Sequence, residues 1–511
     1  MWTPLQRKKL KQKLQLPERS ASKDIELKEQ SISPLLNDCL SLFKNIYSVP
    51  DNKDVQIREL TINKLEMQAA AVFINTIADT KEVEDRVIQP LLLNRDENKQ
   101  ITDIVTAQTV KTVTIVKDAM AEINNGNTVV FVEGMTKCFV LNTSNFQSRA
   151  ISNAEDEVIL KGPKEAFNEK AVTNISLVRK KIRNENLIVE SVEISKRSKN
   201  EVFVLYIKDL VNDELLGNIK KRLSSLNADA IQNLSLLEQY IEERQLSLFP
   251  SILYTERPDR AASFLEDGHI VLLMDNSPAS LILPATFWSF FHTPEEHYLR
   301  FPFGNITRAL RMAALFIALF TSAIYVSITN YHSEMIPPDL LLAIASTREK
   351  VPFPAVVEIL IMEVAFELIR EAGLRVPNPI GPTIGIVGAL ILGEAAVSAN
   401  IISPIVIIVV ALGGLCSFSV SDINLNYAVR FIKFIFISAA GIFGIYGMTA
   451  LFIMGIFYLV SLKSFGVPYL APLSPKYVSS GDTMFRTLLK NEVFRPGYLK
   501  PKDIVKKGGE N

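Results

Sequence analysis

The residues that could do chemistry in this chain sit in apolar surroundings. Residues 379–397 are apolar enough to enter a bilayer, yet one face carries Gly381, Gly385, Gly388 and Gly393 with alanines, and the segment holds a single carboxylate, Glu394. Small residues let helix backbones approach closely where lipid gives no hydrophobic drive to pack. An ionisable group at membrane depth is costly, so it faces a partner or a water-filled path. The segment therefore reads as a helix–helix contact surface around something polar. Just upstream, residues 354–371 place Glu358, Glu363 and Glu367 on an otherwise apolar helix, closed by Arg370, Glu371 and Arg375. Glu363 and Glu367 are four apart and share a helix face. Two readings stand: an interfacial helix with solvated carboxylates, or a coupling or vestibule helix whose carboxylates attract cations.

Other chemistry is not indicated. The chain has no GxGxxG or GxxxxGKS/T phosphate loop, no GxSxG elbow and no HExxH, so no catalytic residues and no enzyme activity are expected. Cys39, Cys138 and Cys416 are far apart and odd in number, which points to neither a disulfide framework nor a zinc site. His269, His292, His297 and His332 lack metal-ligand spacing, so neither a metal nor a cofactor is expected. The 55 basic and 55 acidic residues balance, which argues against nucleic-acid binding, since that needs a basic face.

The balance hides a polarity along the 511 residues. Most charges lie in the first three-fifths; the stretch from about Arg308 to Leu462 is mostly apolar. The expected fold is an α/β soluble N-terminal region of two subdomains followed by an all-α multi-span membrane domain. Residues 1–50 form a basic, disordered tail, of which residues 1–16 read alternatively as a short helix lying on anionic lipid. Residues 51–155 and 156–300 form the two subdomains, 301–470 the membrane domain and 471–511 a C-terminal tail.

In the first subdomain 69–74 reads as a buried strand, 111–123 as a helix, and 128–132 with 137–141 as a hairpin. In the second, Gly162-Pro163 opens a helix, 174–183 is a helix, 187–195 and 201–207 are strands, and 213–226 is an amphipathic helix. Residues 269–274 and 280–283 make a last hairpin. The comparable order of elements raises an internal duplication. Phe287 to Phe291 suits an interfacial aromatic belt.

The membrane segments are expected at about 309–329, 355–371, 381–400, 402–419, 429–446 and 448–463, the last two joined at Gly444 to Gly447. Arg308 and Arg311 at the start of the first place the N-terminal region in the cytoplasm. Lys500, Lys502, Lys506 and Lys507 favour the same side for the tail. An even count follows, so either the Glu-rich helix crosses or one span is re-entrant.

Several collinear motifs between about residues 50 and 475 resemble those of the GerA family of spore germinant receptors, A subunit. They are Gly162-Pro163-Lys164-Glu165-Ala166-Phe167; Glu256-Arg257-Pro258-Asp259-Arg260 with Glu266-Asp267-Gly268-His269; and Met362-Glu363, Phe366-Glu367 and Arg370-Glu371-Ala372-Gly373. The Gly381 to Val397 segment and Phe465-Gly466-Val467-Pro468-Tyr469-Leu470-Ala471-Pro472 complete the set. Two positions depart from the pattern: Ser421 stands where much of the family has proline, and Glu394 where a neutral amide or another acid is common.

The resemblance implies a multi-pass subunit in the spore inner membrane, assembled with a multi-spanning B subunit and a C lipoprotein. Such receptors respond to small nutrients and start germination, with early release of monovalent cations. It further implies a homo-oligomeric ring around an ion path. On that basis Val387, Leu390 and Ile391 are candidates for an apolar constriction and Glu394 for a cation-attracting ring. A secondary transporter and a non-conducting scaffold are the alternatives, the first because intramembrane carboxylates and glycine-interrupted spans are also transporter features.

Overall fold

The computed structural model describes residues 28–97, 99–107, 109–146, 154, 157, 159–375, 393–477 and 479–506, with the side chains of Leu374 and Arg375 excepted. Gly381, Gly385, Val387, Gly388, Leu390 and Ile391, the N-terminal tail to residue 27 and Lys507 lie outside the described residues. The chain divides into two compact units, residues 1–150 with 172–191, and residues 151–171 with 192–511.

The first unit is built on an antiparallel sheet. Helix α1 (Leu36–Ile46) precedes β1 (Val55–Ile62), β2 (Met67–Ile74), β3 (Val110–Val113), α2 (Val116–Asn124), β4 (Thr128–Val132) and β5 (Cys138–Leu141). The strand order is β1-β2-β4-β5-β3. Residues 69–74 are buried throughout because β2 is an inner strand covered on both faces. Alternation of side chains along a strand sends Ala70, Val72 and Ile74 into one core with Phe43, Met120 and Phe131. Ala69 and Ala71 go into the opposite core with Val87, Leu91 and Val130. The expected helix at 111–123 is corrected: residues 110–113 pair with β5 as a strand and the helix begins at Val116. The β-branched run Val110 to Val116 satisfies both patterns, and pairing with β5 decides it.

Helix α3 (Ala171–Lys181) completes this unit, and β6 (Leu187–Glu193) leads the chain into the second. The buried Arg179 of α3 forms an ion pair with the buried Asp54 and donates to the Leu187 carbonyl at 3.2 Å. Asp54 also accepts from the Thr76 amide at 3.0 Å and hydroxyl at 2.9 Å, so its charge is fully compensated. The helix expected to open at Gly162-Pro163 begins nine residues later, at Ala171.

The second unit continues with β7 (Glu201–Ile207), α4 (Asp213–Ser224), α5 (Leu234–Ile241), β8 (Leu253–Thr255), α6 (Pro258–Glu266), β9 (Ile270–Met274) and β10 (Ser280–Leu283). Asn212 and Asn233 cap α4 and α5 through their side-chain oxygens. Its strands run β7-β9-β10-β8. With the leading strand of each sheet set aside, this is the order β2-β4-β5-β3 of the first unit, and in both a helix joins the edge strand to the next one. The shared topology supports an internal duplication.

After the sheet come α7 (Phe301–Tyr331), α8 (Pro338–Arg348), α9 (Ala355–Arg375), α10 (Pro404–Ser417) and α11 (Ile423–Ser461). By length and composition α7 and α11 suffice to cross a membrane, whereas α10 is a shorter apolar helix of 14 residues. Helix α11 is not straight. Gly444 has φ 60° and ψ −144°, a conformation that needs glycine. Phe320 of α7 packs on Phe436 at 5.0 Å and on Phe452 at 5.5 Å between ring centroids. The residues between those two rings would span about 24 Å in straight helix, so α11 reverses at Gly444 into a helical hairpin. Tyr331, ending α7, donates from its hydroxyl to the Gly441 and Ile442 carbonyls and closes that tip.

Candidate functional site

The site is the helical bundle and its junction with the sheet. Its apolar core comprises Ala323 and Val326 of α7, Ile359 and Met362 of α9, Val406 and Val410 of α10, and Phe436, Ile437 and Ala440 of α11. Gly414 lets α10 close on α9: a Cβ there would lie 2.5 Å from the Phe366 ring. Running through this core is a ladder of charges.

Glu358, fully buried, accepts from the Ser403 amide at 3.0 Å and lies 3.4 Å from Arg348. One and a half turns on, Glu363, also fully buried, forms an ion pair with the buried Lys433 of α11 and accepts from Ser322 of α7 at 2.7 Å. Next, Glu367 pairs with Arg430 of α11, with Arg370 at 3.9 Å. Arg370 donates to Ser417 at 2.8 Å and lies over the rings of Phe366 and Phe418. The acids of the Glu-rich helix are thus engaged by cations of the same chain. The ladder also sets directions: Glu358 lies level with Ser403 and Gly441 (through Val356), and Arg370 level with Ser417. The chain therefore leaves α9 at the sheet end and enters α10 at the opposite end.

Glu394 differs. Residues 393–398 are helical and Glu394 is exposed. No hydrogen bond or ion pair engages it among the described residues, unlike Glu358, Glu363 and Glu367. Gly393 is buried, its Cβ position 3.8 Å from Ile407. Glu371 is exposed, and Arg375 ends α9.

A second charge cluster fixes α7 to the sheet. Arg308, fully buried, donates to Glu296 and pairs with Asp482 of the C-terminal tail. Arg311 reaches the other Glu296 oxygen at 2.6 Å, and Arg486 donates to the Glu296 carbonyl. The Nε2 of His292 lies 2.9 Å from the Thr483 carbonyl. Burial lowers the His292 pKa, and since a carbonyl oxygen only accepts, Nε2 carries the hydrogen of that contact. Both arginines read from the sequence as a topogenic signal have structural partners here. The aromatic run Phe287 to Phe291 turns inward: Trp288 donates to the Leu470 carbonyl at 3.3 Å, and the Phe287 amide to Tyr469 at 2.8 Å. Two of the quoted motifs meet as well. The Phe167 amide donates to the Glu256 carbonyl, and Arg257 to the Pro163 carbonyl at 2.7 Å.

At the start of α11 lies an acidic shoulder. Asp422 caps α11 by accepting from the Leu425 amide at 2.8 Å, and Glu238 of α5 accepts from Asn424 at 3.3 Å. Burial, with repulsion from Glu242 and Asp422, pushes Glu238 up to about 8, and burial pushes Asp422 up to about 6. A raised carboxyl pKa means that the folded protein binds the proton more tightly. Its stabilising contribution is complete below the ordinary value of 4.5 and is lost as pH rises through about 8. The melting temperature of the protein is expected to fall across that window. Glu238→Gln should flatten the fall, as read by a melting series between pH 5 and pH 8.5.

Lys433, Arg430, Arg348 and Ser322 were not singled out from sequence. Their signal was present, since Arg430 and Lys433 are basic residues within an apolar run, and such residues need an acid at the same depth.

An α/β region carries an apolar helical bundle with internally paired charges, two of whose helices are long and apolar enough to cross a membrane. The family model described as Bacillus/Clostridium GerA spore germination protein matches residues 41–498. Spore germination protein KA of Bacillus subtilis (strain 168) is 38% identical over 483 residues, covering 92% of this chain and 88% of its own. Spore germination protein GerLA of Bacillus cereus is 34% identical over 460 residues, covering 88% and 93%. The uncharacterized membrane protein YfkQ of B. subtilis is 36% identical over 409 residues, covering 79% and 80%. The crystal structure of the N-terminal domain of the A subunit of the Bacillus megaterium spore germinant receptor GerK3 is 29% identical, with a TM-score of 0.40, covering 50% of this chain and 98% of that domain. The chain belongs to the GerA family of spore germination proteins.

Proposed function

We propose that this chain is the A subunit of a nutrient germinant receptor and forms the cation-conducting path of that receptor. In this reading it is a multi-pass protein of the spore inner membrane with its N-terminal region in the cytoplasm. It assembles as a homo-oligomeric ring with a B subunit and a C lipoprotein and passes monovalent cations. Six passes agree with the direction of the elements: α7, α9, the segment ending at residue 400, α10 and the two arms of α11.

The observation that carries the conducting reading is the sorting of carboxylates. Glu358, Glu363 and Glu367 are neutralised inside the bundle, whereas Glu394 is exposed next to the small-residue segment. An acid left exposed at membrane depth is suited to a ring of copies around water. Val387, Leu390 and Ile391, placed on the same segment, would supply the apolar constriction. Glu363, Glu367, Arg370, Glu371 and Arg375 would couple α9 to the movement of that segment. Val387→Ala should widen the constriction, so that dormant spores lose potassium without germinant; potassium retention equal to wild type would overturn the constriction at Val387. The non-conducting scaffold is supported by the internal pairing itself, which stabilises a closed bundle, and it predicts no flux from any reconstituted assembly.

A further inference from the structure

A cavity of about 660 Å³ opens where α5 meets the start of α11. Its walls include Glu238, Glu242 and Asp422 together with Tyr254, Tyr427 and Phe431. Glu238 is only 9% exposed. Its Oε1 accepts from Asn424, and among the described residues no hydrogen bond to Oε2 is formed. Among the described residues no lysine or arginine forms an ion pair with Glu238, Glu242 or Asp422. This sets the shoulder apart from the rest of the unit, where the buried acids Glu296, Glu358 and Glu363 each have a cation. Arg260 lies near enough to act on Asp422 and pairs with Glu157 of the cavity wall, and Glu242 accepts from Ser251, whereas Glu238 has only Asn424; burying an acid with so little compensation is unfavourable, and a positive ligand would relieve it.

The size and lining decide what kind. Among the described residues no three His, Cys, Asp or Glu side chains converge as metal ligands, so a bare metal ion has no donor set. The volume is that of a pocket for a small organic molecule, and Tyr254, Tyr427 and Phe431 line it with aromatic surface suited to a cation or an apolar body, although Arg430 already lies over the Tyr427 ring. We propose that this cavity binds a small organic cation, its ammonium group held by Glu238 and Asp422 and its apolar part against Tyr254, Tyr427 and Phe431. The ligand would bridge α5 of the sheet region and the first turn of α11. The inference stands apart from conduction, since it requires only the folded second unit.

The test uses the full-length protein in detergent micelles. Benzylammonium chloride is the probe, with benzyl alcohol and potassium chloride at matched ionic strength beside it, followed by melting temperature and by calorimetric titration. Saturable binding of benzylammonium alone is expected, weakened by ~10-fold or more in Glu238→Gln and in Asp422→Asn, the loss of one charge-assisted contact. Asn retains the helix cap, so the second variant stays informative should the first fail to fold. Equal binding of benzyl alcohol, the same shift with potassium chloride alone, unchanged affinity in the variants, or no saturable binding up to about 10 mM would each overturn the proposal.

Discussion

Lys433→Met is expected to cost about 3–5 kcal/mol of stability, the range for removing one partner of a buried ion pair. The reason is the fate of Glu363. It is fully buried, its neighbours are the Lys433 ammonium and the Ser322 hydroxyl, and one hydroxyl cannot compensate a carboxylate in an apolar bundle. The double variant Lys433→Met with Glu363→Leu should recover most of the loss, because a buried pair replaced by apolar side chains is often neutral or stabilising. The measurement is thermal unfolding of the purified protein in micelles for wild type, both single variants and the double. Additive losses in the double variant would show that the two side chains act independently and that the ladder does not hold α9 to α11.

The second large effect is at Arg308. Its guanidinium joins Glu296, at the foot of the sheet region, to Asp482 of the C-terminal tail, while Arg311 and Arg486 complete the shell around Glu296. Arg308→Met leaves the fully buried Glu296 short of a counter-charge and frees the tail from α7. A loss of about 3–5 kcal/mol is expected, with residues 479–506 becoming susceptible to limited proteolysis. Arg308→Lys should not rescue, since an ammonium lacks the planar fork that reaches two carboxylates. A tail that stays protected in Arg308→Met would show that contacts such as Lys506 with Asp267 and Arg495 with Glu266 hold it unaided.

The apolar pattern made some of this legible in advance and left the rest hidden. Residues 69–74, 128–132 and 269–274 read as strands because the runs are short and largely apolar, and the structure buries them as strands, the last from Ile270. The break in the long apolar stretch was visible in Gly444, and it is there that the chain turns. The boundary between β3 and α2 was not legible, because one β-branched run serves both. The charge ladder was half legible. The acids of α9 stood out by their spacing, but Arg430 and Lys433 lie 63 and 70 residues further on, and nothing local specifies the pairing. The same holds for the motifs at Gly162 and Arg257, which meet only because α6 and the preceding turn fold together. The acidic shoulder could not be read at all, since Glu238 and Asp422 come from elements far apart in the chain.

The proposed conduction through Glu394 is tested most directly by cation flux from liposomes holding this chain with the proposed B and C subunits, wild type against Glu394→Gln. Germinant-triggered potassium flux that falls, or loses its preference for cations over anions, in the variant is the predicted result. Equal, equally selective flux from both would remove Glu394 from the ion path, and no flux from either would contradict conduction and leave the subunit a scaffold.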